Sequence, residues 1–116
     1  MGRKSTLKDA YFYTAGDCPK HEIFPGVTIQ TSWLDRVMTS LVTFQPDSIV
    51  LDHSHPHEQM GIIISGKVSF TIGGQTQELG PGDMYRIPSN IVHRVAAIAG
   101  PAVAFDVFSP ARDDYK

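Results

Sequence analysis

The residues with the clearest chemical potential lie in one short histidine-rich segment. His53, His55 and His57 alternate along the chain, and Gln59 follows His55 after three intervening residues. On an extended strand, side chains at alternate positions leave the same face, so two of these imidazoles can point at one centre. Converging imidazole nitrogens are typical of a transition-metal site. The segment therefore predicts a metal centre, completed by a ligand from a distant strand.

Two pairs of histidines have this spacing, and the residue that follows each pair decides between them. The pair His53 and His55 is followed by Gln59, which has an amide side chain. The pair His55 and His57 is followed at the same distance by Gly61, which has no side chain to bind anything. We therefore predict His53, His55 and Gln59 as metal ligands and place His57 beside the site, at the pocket mouth.

Length and composition favour one ordinary globular domain. The chain has 116 residues, 41% of them hydrophobic and 19% charged, with a formal net charge of −2. We expect no nucleic-acid partner, because nothing in the chain is basic enough to hold one. The single cysteine, Cys18, allows no internal disulfide and favours a reducing compartment. No apolar run has the length of a secretory signal or a membrane span, so we expect a cytoplasmic protein with no membrane partner.

Short β-type runs separated by turn residues occupy most of the chain. Residues 1–25 predict an N-terminal arm with one short strand near Tyr11 to Thr14, and residues 26–116 predict a single domain. Within that domain we expect strands at Val27 to Ser32, Arg36 to Phe44, Ile49 to His53, Gly61 to Ser65, Val68 to Ile72, Gln75 to Leu79, Asp83 to Ile87, His93 to Ile98 and Ala102 to Phe108. Many short strands at even spacing indicate an all-β sandwich or barrel.

The histidine segment resembles the first motif of the cupin superfamily. In that motif two histidines precede a third ligand, usually Glu and here Gln59, and then a glycine, here Gly66. The second cupin motif is similar to the segment from Gly82 to His93. The resemblance covers about Ile49 to Ala97 and implies an all-β, double-stranded β-helix, which is a small jelly-roll barrel. It also implies His93 as the fourth ligand.

The cupin resemblance implies one divalent metal ion as cofactor. Imidazoles with one amide suit Zn, Ni, Fe and Mn alike, so the sequence does not select the metal. A neutral Gln59 leaves the full charge of the ion to act on a substrate, whereas Glu would reduce it. This favours Lewis-acid chemistry on a carbonyl or hydroxyl over oxygen chemistry.

A second informative segment lies near the carboxyl end of the sequence. Asp106 and Phe108 share one face of the predicted last strand, while Val103, Phe105 and Val107 share the other. Alternation alone would turn the apolar face to the core and leave Asp106 in solvent. In a barrel with a polar cavity, the inner wall can instead carry the aspartate while the other face packs against a second sheet or subunit.

With Arg112, this segment resembles the KdgF-type cupins linked to pectin and alginate breakdown. Asp106, Phe108 and Arg112 fall on their terminal signature. The resemblance implies conversion of 4,5-unsaturated monouronates into open-chain keto forms. In that reaction Asp106 would move a proton, Arg112 would bind the sugar carboxylate, and Phe108 would supply an apolar wall. The plain alternative is a solvated tail whose ion pairs contribute at most about 1 kcal/mol.

Two other functions fit the same residues. One is a cupin dioxygenase or isomerase acting on another small molecule, and the other is a non-catalytic sensor module that binds a metal and a sugar acid. In each case the expected partner is a small molecule. Because small cupins commonly pair through the barrel exterior, the resemblance also implies a homodimer.

Overall fold

The computed structural model describes residues 10–116, and within this range the secondary structure is almost entirely β-strand. The strands are β1 Lys20–Phe24, β2 Val27–Trp33, β3 Met38–Phe44, β4 Ile49–His53, β5 Glu58–Ile72, β6 Gln75–Leu79, β7 Met84–Ile87 and β8 His93–Ser109. Two short 3₁₀ turns flank them, Ala15–Asp17 and Asp113–Tyr115, and we call the second the C-terminal turn. The predicted all-β class is confirmed. Within residues 10–116, no helix is long and apolar enough to cross a membrane.

Two long strands hold the barrel together, because each takes part in two layers of the sheet. Residues 59–62 of β5 lie between β7 and β8, whereas residues 68–72 lie between β6 and β8. Strand β8 likewise pairs with β4 near its start and with β3 near its end. All pairings are antiparallel, and the strand order β1-β2-β3-β8-β5-β6 gives the predicted jelly-roll barrel.

The sequence predicted breaks in both long strands, and these predictions were wrong. Gly66 has a φ of 77° and Gly100 a φ of 122°, a backbone that glycine adopts most readily. A Cβ on Gly66 would also overlap the Pro101 carbonyl oxygen. The pairing register shifts near residue 65, while the pairing continues on both sides. These turn residues therefore bend the strands and do not end them, which lets one strand serve two layers.

The predicted strand near Tyr11 to Thr14 is not formed. The strand of this region is instead β1, which pairs with β2 at the edge of the sheet. The aromatic residues of the predicted strand have β propensity, but propensity acts only where a neighbouring strand offers pairing and packing. Residues 1–9 of the predicted arm lie outside the described residues, and the division of the chain at residue 25 stays a prediction.

The core lies inside the barrel and is built from alternate residues of the strands. In β3, every second side chain is buried. The largest fully buried side chains come from four different strands and include Val27, Ile29, Met38, Ile63, Val68 and Ile87. The same alternation brings polar residues of β5 and β8 to the inner wall, where Gln59, His93 and Asp106 are also buried. The fold thus encloses polar groups within an apolar barrel.

Candidate active site

Three histidines converge inside the barrel. One ring nitrogen from each of His53, His55 and His93 lies within 4.8 Å of the others. The ring centroids of His53 and His93 are 4.2 Å apart, because these residues are direct partners in the pairing of β4 with β8. Strand β4 ends at His53, so His55 reaches the site from the following loop and not from the strand that we expected. Its ring centroid is 5.0 Å from that of His93.

Backbone carbonyl groups determine which nitrogen of each imidazole faces the centre. In His53, His55 and His93, Nδ1 lies 2.9 to 3.0 Å from a carbonyl oxygen two residues away. Because a carbonyl oxygen only accepts, Nδ1 carries the proton and Nε2 keeps its lone pair. His93 Nε2 is buried and has no hydrogen-bond partner among residues 10–116. This donor set fits a divalent metal ion, for which neutral imidazoles are common ligands.

Burial also keeps two of these imidazoles in the neutral form. Burial, assisted by the charge of Arg112, lowers the pKa of His55. Burial lowers the pKa of His93 to about 4, and the neighbouring His53 and His55 act in the same direction. Near neutral pH both rings are therefore uncharged, which is the form that binds a metal.

Gln59 joins the histidines to an aspartate. Its Oε1 lies 3.1 Å from His55 Nε2, and its Nε2 donates to Asp106 Oδ2 at 3.1 Å. With the proton of His55 on Nδ1, both atoms of the first contact present lone pairs, an unfavourable arrangement unless a cation lies beside them. A Glu at this position would place a second carboxylate against Asp106, and the neutral amide avoids that repulsion.

Each carboxylate oxygen of Asp106 accepts a hydrogen bond. The Tyr85 hydroxyl donates to Oδ1, while Gln59 donates to Oδ2. Burial raises the pKa of Asp106 to about 7, although these two bonds act in the opposite direction. Burial and the Asp106 charge raise the pKa of Tyr85, so the tyrosine stays a neutral donor. A carboxyl group with a pKa near 7 is suited to proton transfer.

Gly61 provides the space in which Tyr85 and Asp106 meet. It lies on β5 as the direct partner of Tyr85 on β7 and of Asp106 on β8. A Cβ at Gly61 would overlap both Asp106 Oδ1 and the Tyr85 hydroxyl. From the sequence we used Gly61 only to exclude His55 and His57 as the ligand pair, and we did not predict Tyr85 as a site residue. Alternation along β7 indicates that Tyr85 faces inward, but no motif assigns it a role.

Phe108 and Arg112 lie beside the histidines. The Phe108 ring centroid is 5.8 Å from that of His55. The Arg112 guanidinium carbon lies 3.9 Å from the centroid of the Tyr115 ring and 5.7 Å from that of Phe108. Tyr115 belongs to the C-terminal turn and was not predicted as part of the site. Its aromatic ring and the buried guanidinium together form one wall of the site.

A cavity of ≈ 40 Å³ lies between these groups. Its lining includes His53, Gln59, Tyr85, His93, Asp106, Phe108, Arg112 and Tyr115. This volume is that of a few water molecules. His57 lies outside the three-histidine group, with its ring centroid 5.6 Å from that of His55. The cavity thus brings three of the four predicted ligands, His53, Gln59 and His93, to one place with the predicted catalytic residues.

Comparison with known proteins identifies relatives of the same architecture. A family model described as the cupin domain matches residues 40–108. The structure of KdgF from Halomonas sp. is similar, with a TM-score of 0.84 and 25% sequence identity, over 92% of this chain and 99% of that chain. None of the curated proteins matches the chain by sequence.

Two further solved structures are similar in fold at lower identity. An RmlC-like cupin from Shewanella frigidimarina has a TM-score of 0.86 and 21% identity, over 96% of this chain and 100% of that chain. A variant of oxalate decarboxylase from Bacillus subtilis has a TM-score of 0.77 and 18% identity, over 84% of this chain and 29% of that chain. At these identities the similarity shows the barrel alone.

We predict that His93→Ala abolishes metal binding and that His57→Ala does not. His93 contributes a buried lone pair to the centre, whereas the ring of His57 lies outside the group. Metal analysis of the purified protein should give about one divalent ion per chain for the wild type and His57→Ala, and close to none for His93→Ala. Equal metal content in the two variants would contradict the assignment.

We predict that Gly61→Ala destabilises the fold and disturbs the Tyr85–Asp106 contact. The added methyl group must displace one of these buried side chains, at a cost of about 1–3 kcal/mol in the free energy of unfolding. Gly80→Ala is the matched control, because a Cβ there meets no described atom within 4 Å, and its effect should stay within about 0.5 kcal/mol. Urea denaturation of both variants measures the difference, and similar losses would refute the packing role.

Proposed function

Because the chain belongs to the cupin family, we propose that it is a metal-dependent enzyme that converts 4,5-unsaturated monouronates into open-chain keto forms. The observation that carries this proposal is the position of Asp106. This buried carboxyl group is hydrogen-bonded to the predicted ligand Gln59 and shares a cavity with Arg112. The 25% identity with KdgF from Halomonas sp. supports the same class of enzyme. The cytoplasmic location expected from the sequence is part of the proposal.

We assign four neutral side chains as ligands of one divalent metal ion: His53, His55, Gln59 and His93. Three offer Nε2 lone pairs and the fourth an amide oxygen, so the ligands do not reduce the charge of the ion. When bound, such an ion supplies Lewis-acid chemistry by polarising a carbonyl or hydroxyl oxygen. This donor set does not distinguish among Zn, Ni, Fe and Mn.

Asp106 is the proposed acid and base of the reaction. The conversion is an isomerisation in which the hemiacetal hydroxyl loses a proton, the ring C–O bond breaks, and the enol carbon gains a proton as its oxygen becomes a ketone. One proton leaves the substrate and one returns, so a single carboxyl group can serve both transfers. A pKa of about 7 lets Asp106 accept or release that proton near neutral pH.

Arg112 and Phe108 are the proposed substrate-binding residues. Arg112 places a permanent positive charge at the cavity wall, which suits the carboxylate of a sugar acid. Phe108 presents an apolar surface between that charge and the His55 ring.

We also infer that two copies of the chain pair through the outer face of β5, β7 and β8. Met60, Ile64 and Met84 on this face are 56%, 50% and 73% exposed. Met84 is the direct partner of Ile62, which in turn faces Phe105 across the sheet. Several exposed apolar side chains grouped on one face of a sheet indicate an interaction site.

For the enzyme, we predict that Asp106→Asn lowers kcat by about 10²–10⁴-fold, because the amide cannot exchange a proton. Arg112→Ala should raise KM by about tenfold or more through the loss of a charged contact. Neither variant should lose metal. The assay mixes protein with lyase-generated unsaturated monouronate and follows the loss of conjugated absorbance, with and without chelator. Asp113→Asn serves as an exposed control.

Unaltered rates in both variants would refute the enzymatic proposal. Bound uronate without turnover would instead indicate a sensor module, and oxygen uptake by the iron-loaded protein would indicate a dioxygenase.

For the dimer, we predict that Met84→Glu gives a monomer in solution, because two buried carboxylates cannot be accommodated in an apolar contact. Gln77→Glu adds the same charge at an exposed position of β6 and should leave the dimer intact. Light scattering on the purified proteins gives the masses. A monomeric wild type would overturn the inference.

A further inference from the structure

The C-terminal turn holds the Arg112 guanidinium in one orientation. Asp114 accepts hydrogen bonds from Nε at 3.2 Å and from Nη2 at 2.7 Å, so it occupies the side-on edge of the group. The Tyr115 ring covers the flat face. The Arg112 side chain is 11% exposed and that of Asp114 is 60% exposed, so the carboxylate lies on the solvent side of the pair.

The other edge of the guanidinium is unused. A guanidinium carries five N–H donors, of which Asp114 takes two. Nη1 of Arg112 is buried and makes no hydrogen bond within the described range, although Arg112 lines the cavity. One hydrogen of Nη1 and the second hydrogen of Nη2 together form the end-on edge. A ligand carboxylate can therefore pair with this edge while Asp114 stays in place.

We propose that Asp114 is a positioning residue that sets the affinity of the cavity for carboxylate ligands. By holding the side-on edge, it keeps the end-on edge of Arg112 turned into the cavity. This inference rests on the proposed binding of a sugar carboxylate by Arg112, and it adds that the carboxylate is held end-on. Without Asp114, two freed donors favour rotation of the guanidinium towards water, because a buried unpaired donor is unfavourable.

The neighbouring aspartate provides a matched control. Asp113 has the same charge and lies in the same turn, but it pairs with Lys116 at 3.0 Å and is 92% exposed. Neutralising Asp113 changes the net charge of the turn as much as neutralising Asp114 does. Only the second change releases Arg112.

The test measures binding of D-glucuronate and of its neutral amide, D-glucuronamide, by calorimetry on the metal-loaded full chain. Asp114→Asn should raise the Kd for glucuronate about tenfold, because a ligand carboxylate loses a charged hydrogen bond to Arg112. The Kd for glucuronamide should stay nearly unchanged. Asp113→Asn should match the wild type for both sugars. Asp114→Glu should restore much of the glucuronate affinity. If Asp114→Asn only loosened the turn, the binding of both sugars would weaken to a similar degree.

Unchanged or tighter binding of glucuronate by Asp114→Asn would overturn the proposal, and tighter binding would make Asp114 a competitor of the ligand. Failure of wild-type protein to bind glucuronate, or undiminished binding by Arg112→Ala, would overturn it as well. If the expected losses occur but unsaturated monouronate is not turned over, the positioning role stands and the enzymatic proposal fails.

Discussion

The structure depends on the burial of one carboxyl group inside a β-barrel. A buried polar atom without a partner destabilises a fold by about 1–3 kcal/mol, so both oxygens of Asp106 require donors. Tyr85 and Gln59 supply them from two neighbouring strands. Position 61 requires glycine, because a Cβ there would overlap the Tyr85 hydroxyl and the Asp106 oxygen that it contacts. The side chain at position 59 is also constrained, because an amide can donate to Asp106 and still present an oxygen to the histidines.

The parts of the site that sequence could predict are those held close by the covalent chain. Spacing alone selected His53, His55 and Gln59, and these residues do lie together, although His55 approaches from a loop. His93 could be predicted as a ligand only through the second cupin motif, because no local sequence pattern indicates that β4 pairs with β8. Alternation along β8 could not decide which face was inward, since the apolar face, including Phe105, is itself half-buried.

The features that sequence did not predict arise from tertiary contacts between distant residues. Tyr85 acquires its role from Asp106, and Tyr115 acquires its role from stacking on Arg112. The predicted breaks in β5 and β8 were wrong because a glycine can either end a strand in a turn or bend a strand that continues. Only the pairing with neighbouring strands decides which of the two forms. The edge strand β1 was missed for a related reason, because its half-exposed pattern has no sustained period.

The sharing of β5 and β8 between two layers has a consequence for how the chain folds. Strand β8 contributes His93 at its start and Asp106 near its end, and it pairs with β3, β4 and β5, which all precede it. Before such non-local pairings can form, the chain must lose the conformational entropy of closing long loops. The strands therefore pair slowly and cooperatively. The complete set of donors therefore exists only after the barrel has closed. Metal capture should be among the last events of folding, stabilising a finished barrel and not nucleating it.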